Sequence, residues 1–162
     1  MILRGENVDN EFMEKCLSKR TVTQEASAHR IEDKRTMHAV AEQHRNNADY
    51  FLECAKNLLD SNTSLAAILI AHFAMEHKSN QLIALYGYKI ESHVCTQVGL
   101  SRIAQRKDLA KKLSDVFALR QGVGYRMSLK LSEESRKESE KVVDGAVSFF
   151  EEVDKAISEM KY

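Results

Sequence analysis

His72 and Glu76 stand four residues apart with His77 beside them, so a helix would set an imidazole and a carboxylate on one face. Such a pair could supply two of the ligands a metal ion requires, with a third from elsewhere, although histidines packed or hydrogen-bonded within a bundle are the commoner case. Further along, the string Arg120-Gln121-Gly122-Val123-Gly124-Tyr125-Arg126 carries two glycines that superficially suggest a phosphate cradle. Between Arg102 and Lys112 the chain carries Arg102, Arg106, Lys107, Lys111 and Lys112 against Asp108. A run of that kind is either an ordinary solvated face or a patch that contacts phosphates.

Several familiar chemistries lack their parts. A di-iron bundle needs Glu-x-x-His on two core helices, yet Ser79 follows Glu76 at that spacing and Arg45 follows Glu42. No HExxH motif, phosphate-binding P-loop or Ser/Cys nucleophile motif occurs. Gly122-Val123-Gly124 has neither the lysine nor the preceding strand of a phosphate loop, and reads as a turn between helices. The sequence therefore implies no resident metal and no cofactor.

The elements that must position these residues are helices. Proline is absent from all 162 residues, which favours long uninterrupted helices. Met37, Val40, Ala41, His44, Ala48, Phe51, Leu52, Ala55, Leu58 and Leu59 step by threes and fours, predicting one long amphipathic helix that stops at Asp60-Ser61-Asn62-Thr63. A second helix, from about Ser64 to Tyr86, is apolar nearly all round in its first half and belongs at the centre of a bundle, with Gly87 ending it. Two shorter helices follow near Ser92 to Arg106 and Asp108 to Arg120, after which Gly122 and Gly124 are expected to break the chain. The last helix starts near Ser132 and runs to the C-terminus on a stripe from Val142 to Met160. No segment alternates with period two long enough to predict a strand.

Short connections make successive helices antiparallel, so the expected fold is all-α: an up-and-down bundle of four to five main helices. Residues 1–33 differ from the rest. A short helix is plausible around Phe12, Met13, Cys16 and Leu17 behind a cap at Asp9, and the polar stretch from Arg20 to Asp33 reads as a linker, loop or weakly ordered helix. We take 1–33 as an N-terminal appendage and 34–162 as the bundle domain.

Composition narrows the function classes. Lysine plus arginine equals aspartate plus glutamate at 24 each, which excludes a generally basic nucleic-acid coat but leaves a local patch open, and near-neutral charge favours self-association. The three cysteines, Cys16, Cys54 and Cys95, are scattered and include no CxxC pair, so buried reduced thiols in a reducing cytoplasm are expected. The N-terminus turns polar after three residues, and the longest apolar stretch, Leu65 to Ala71, is too short to span a bilayer. A cytoplasmic protein without membrane contact follows from these features.

Two local strings resemble a known family. Ala71-His72-Phe73-Ala74-Met75-Glu76-His77-Lys78, leading to Ala84-Leu85-Tyr86-Gly87 and then Ser92-His93, is similar to the second-helix signature of HEPN-superfamily proteins. Leu119-Arg120-Gln121-Gly122-Val123-Gly124-Tyr125 resembles the Leu-Arg-Gln…Tyr string that precedes their last helix, and the likeness spans roughly Met37 to Ile157. The resemblance implies a bundle that commonly forms a homodimer and is often encoded beside a small nucleotidyltransferase. It also implies, in active members, a metal-independent ribonuclease, frequently a toxin of a toxin–antitoxin system. Their arginine is followed a few residues later by a histidine, the two acting across a dimer interface.

This chain departs from that pattern where it matters most. No histidine follows Arg120, and Tyr125 stands in its place. A tyrosine, with an ordinary pKa near 10, is a poor base at neutral pH. Three readings stay open. One is a nucleotide- or RNA-binding, or nucleotidyltransferase-partner, bundle with little or no catalysis, using Arg120, Gln121, Arg126, Arg102, Arg106 and Lys107. Another is a ribonuclease with a rearranged acid–base pair drawn from Arg120, Tyr125, His77 and His93. The third is a purely structural dimerisation or interaction module.

Overall fold

The computed structural model describes residues 13–18, 27–61, 63–126 and 133–160, with side chains of the fifth helix given as far as Val123. Residues 13–17 form a short helix, α1. Then come β1 (Ala28–Arg30), α2 (Lys34–Leu59), α3 (Ser64–Leu85), β2 (Tyr88–Ile90), α4 (His93–Arg102), α5 (Lys107–Arg126) and α6 (Glu133–Ser158). The expected all-α bundle is what the chain forms. Among the described residues no helix is long and apolar enough to cross a membrane.

Each long helix has a local cause. Asp33 caps α2 by accepting from the backbone N–H groups of Arg35 and Thr36 at 2.9 and 3.2 Å, satisfying donors that a helix start leaves free. On α2 the buried positions Ala41, Ala48, Leu52 and Ala55 fall at helical spacing. Central α3 buries residues on all sides and packs against α2, α4, α5, α6 and β2. Its end is set by Gly87 at φ +86°, whose N–H donates to the Ala84 carbonyl at 2.9 Å. Lys78, 3% exposed, leaves the α3 core through its Nζ, 2.6 Å from Asp154 on α6 and over the Phe150 ring. The core itself centres on Ile68, Met75, Leu82, Ile83, Leu100, Leu109, Leu113 and Phe149.

Four expectations need correcting. Gly122 and Gly124 do not break the chain: α5 runs through them to Arg126. A helical glycine costs about 1 kcal/mol relative to alanine. Here Leu109 and Leu113 ahead of the glycines, and Val123 between them, are buried and anchor the helix against that cost. The fourth helix ends at Arg102 rather than Arg106, where Ile103, Ala104 and Gln105 (φ +55°) turn the chain into α5.

A small antiparallel sheet also exists. Ala28, His29 and Arg30 pair with Ile90, Lys89 and Tyr88. Three residues per strand are too few for a period-two signal, and the pairing partner lies some sixty residues away. Lastly, Cys16 and Cys95 are not reduced thiols but a disulfide with Cα atoms 5.9 Å apart, while Cys54 is free. Spacing could not disclose a pair separated by 79 residues. The bridge and the strand attach the described parts of the N-terminal stretch directly to the bundle. The cap expected at Asp9 and the residues 19–26 lie outside the described residues.

Candidate functional site

Helices α3, α4 and α5 meet at a cluster of His72, Glu76, His93 and Arg120. On α3, His72 and Glu76 share a face one turn apart, as their spacing required. His93 is the first residue of α4, delivered there by the β2 turn and the extended Ser92. Arg120 comes from α5 with Phe117 one turn before it.

Glu76 Oε2 lies 2.5 Å from His93 Nδ1 and 3.9 Å from His72 Nδ1. Arg120 Nη1 lies 3.4 Å from both His72 Nδ1 and His93 Nε2. A guanidinium only donates, so those two ring nitrogens accept. It follows that His93 carries its proton on Nδ1, donated to Glu76, and that His72 carries its own on Nε2. The guanidinium also sits over the rings of Phe73 and Phe117, at 4.8 and 5.8 Å to the centroids.

Burial divides the roles. His72 is 1% exposed, and desolvation, with the nearby Arg120 and His93, lowers its pKa to about 4, so the ring is neutral. Glu76, 14% exposed, has its pKa raised by burial, with His93 and Arg120 pulling the other way. His93 reaches solvent, its side chain 40% exposed. No carboxylate among the described residues lies within ion-pair distance (4.0 Å) of Arg120, whose partners are aromatic rings and imidazoles.

His72, Glu76 and His93 can bring one ligand atom each within 4.8 Å of one another. A divalent cation there would face a guanidinium nitrogen 3.4 Å from two of those ligands. The donor set suits an anion at Arg120 better than a cation among its neighbours.

The sequence matches no protein-family model, no curated protein and no solved structure. The site's chemistry therefore rests on its own geometry.

Of the residues singled out from sequence, Arg120 and His93 are brought together and His77 is not. His77 faces α2, its Nδ1 2.9 Å from that of His44, with the ring stacked on Phe51. Both imidazoles are half-buried, and desolvation lowers both pKa values, that of His44 to about 4. Gln121 is exposed beside the cluster, while the side chains of Tyr125 and Arg126 lie outside the described residues.

The basic run is largely compensated. Arg106 pairs with Asp108 at 2.7 Å, Lys111 with Asp115 at 2.6 Å, and Lys112 with Glu152 at 2.5 Å. Arg102 and Lys107 line a separate cleft with Ser101, Gln105 and Asp108. Sequence reasoning left out His72 and Glu76 as proton-transfer partners of Arg120, although their i,i+4 spacing was visible. What was missing was the fold that carries α5 onto them.

Proposed function

We propose that the cluster is a phosphate-binding and phosphodiester-cleaving site, and that the chain is an HEPN-like, metal-independent ribonuclease. The observation that carries this is the single guanidinium nitrogen 3.4 Å from His93 Nε2, with Glu76 on the far side of the same ring. The histidine absent after Arg120 has a substitute from α4, and cluster members from three helices meet within one chain.

In such a site an RNA phosphate displaces Arg120 from the imidazoles and takes its donors, which suits a guanidinium whose partners among the described residues are imidazoles and aromatic rings. His93 Nε2, released, accepts the proton of the ribose 2′-hydroxyl, whose oxygen attacks phosphorus. Glu76 holds the ring and stabilises the imidazolium, while Arg120 bears the charge of the phosphorane. The P–O5′ bond then breaks, and the imidazolium returns its proton to the 5′-oxygen, leaving a 2′,3′-cyclic phosphate. The rings of Phe73 and Phe117, which lie against the guanidinium, supply apolar surface for a nucleobase once Arg120 turns to the phosphate.

Labelled single-stranded RNA incubated with the protein in EDTA tests this. Cutting is expected, lost by roughly 10²–10⁴-fold in His93→Gln and by roughly 10²–10³-fold in Arg120→Ala. Tyr125→Phe should cut normally, because His93 takes the role the missing histidine left open.

A second reading has its own support. Arg120 occupies both imidazole lone pairs that face it, as in a binding site that does no acid–base work. Intact RNA at high protein concentration, with RNA affinity that disappears in Arg120→Ala, would establish that reading. The protein would then be a nucleotide- or RNA-binding component, or the companion of a nucleotidyltransferase. Homodimer formation belongs to either reading and is checked by sedimentation.

A further inference from the structure

We propose that the Cys16–Cys95 disulfide is a redox latch on His93; this rests on the cluster at Arg120 being the working site. Cys95 lies in the first turn of α4, two residues after His93, and both bridged cysteines are 1% exposed. That turn has few other anchors. Its cap, Ser92, makes no side-chain cap bond, and Thr96 holds the turn through Oγ1, which bonds Asn80 at 3.0 Å and the Ser92 carbonyl at 3.1 Å. His93 itself is fixed by Glu76 and Arg120. The disulfide is thus one of a small set of ties that set where the imidazole points.

At its other end the bridge reaches α1, whose five described residues are too short a helix to persist alone, and among them Met13 and Leu17, both partly buried, join Cys16 against the core. A bundle of this size does not need a staple to hold its core. This one joins α1 to the site helix α4. Exchange requires local opening around Cys16 that exposes the sulfurs, which is how a buried disulfide becomes exchangeable.

The chemistry is two-electron thiol–disulfide exchange with a dithiol reductant. Its thiolate attacks one bridge sulfur to give a mixed disulfide, and its second thiol displaces the remaining cysteine. The reductant leaves oxidised, and Cys16 and Cys95 gain two electrons and two protons. The oxidised state holds His93 on Glu76, and reduction frees the first turn of α4 to drift.

The full chain is prepared oxidised with glutathione disulfide, then reduced with dithiothreitol, with Cys16→Ser alongside. Alkylation and mass spectrometry should count one free thiol, Cys54, in the oxidised protein and three after reduction. In ¹H–¹⁵N spectra the His93 ring signals should move or broaden on reduction, with Cys16→Ser matching the reduced wild type. RNA cleavage should fall by roughly 10- to 100-fold, the scale on which a misplacement of about an ångström acts.

Three free thiols after oxidation would overturn the proposal. So would a confirmed bridge whose reduction leaves the His93 signals unmoved, since the disulfide would then be a staple alone. If no form cuts RNA, the ribonuclease reading falls while the His93 signals still decide the latch. Should Cys16→Ser fail to fold, the reduced wild type carries the comparison.

Discussion

At the scale of single residues, the cluster sets stability against activity. Glu76 is a carboxylate held mostly away from water, and burial raises its pKa, so its charge costs the folded state something. Glu76→Gln keeps shape and an acceptor while removing that cost. Thermal unfolding should therefore show stability unchanged or slightly improved, while RNA cleavage drops by about 10²–10⁴-fold because the imidazolium loses its counter-charge. A variant that lost both together would mark Glu76 as an architectural residue.

The neutral imidazoles give a second residue-level expectation. His72 and His44 have folded pKa values near 4 against 6.5 when free, so below pH 6.5 the unfolded chain binds protons that the folded chain refuses. Stability contributed by keeping these rings neutral is complete above pH 6.5 and is lost as the pH falls towards 4. For a ring as buried as His72 the loss is on the order of 3 kcal/mol, and less for the half-exposed His44. Urea midpoints measured from pH 7 to pH 4 should fall accordingly, and His44→Phe should flatten part of that slope. The histidines were legible in the sequence as candidates, but their partners were not. His77 was the natural neighbour of His72 and Glu76 by number, yet it turns to α2, whereas His93 arrives from another helix.

Among the elements, α4 sits where it does because Gly99 has no side chain. A Cβ there would meet Ile90 Cδ1 at 2.8 Å and Ile83 Cδ1 at 2.9 Å. Gly99→Ala gains up to about 1 kcal/mol of helix propensity, but overpacking of this kind costs about 1–3 kcal/mol and pushes α4 off α3. The expected result is a net loss of stability together with weaker cleavage, since His93 rides on the displaced helix. Gly145 on α6 has nothing within 4 Å of its would-be Cβ, so Gly145→Ala should stabilise by roughly 0.5–1 kcal/mol and leave activity alone. Opposite signs for the two substitutions in chemical denaturation would confirm that α4 is placed by contact.

The long elements could be read from sequence because their stripes repeat over many turns. The stretch from Met37 to Leu59 lies in α2, which starts three residues earlier at Lys34, and α3 ends one residue short of its expected end. What escaped was set by distant partners. Strand β1 exists through its pairing with β2, and α5 persists through two glycines on the burial of Leu109 and Leu113 ahead of them and Val123 between them. Periodicity reports the face a segment offers, and it is silent about which other segment accepts that face.

For the molecule as a whole, the disulfide changes the balance between folded and unfolded chains, whatever it does at the site. It closes a loop over a sequence separation of 79, so the unfolded chain loses conformational freedom that the folded chain never had. The chain-entropy relation gives about 4.5 kcal/mol for such a loop, a large share of the 5–15 kcal/mol by which domains are ordinarily stable. Reduction should therefore lower the urea midpoint strongly and steepen the transition, because the unlinked unfolded chain expands and exposes more surface. The latch acts on the folded state, whereas this effect acts mainly on the unfolded one, so the two need not scale together. Reduced protein that stays fully folded at 25 °C yet shows displaced His93 signals would separate them. A urea midpoint indifferent to reduction would mean that the bridge does not form in solution, and Met13 and Leu17 would then be the core contacts of α1 among the described residues.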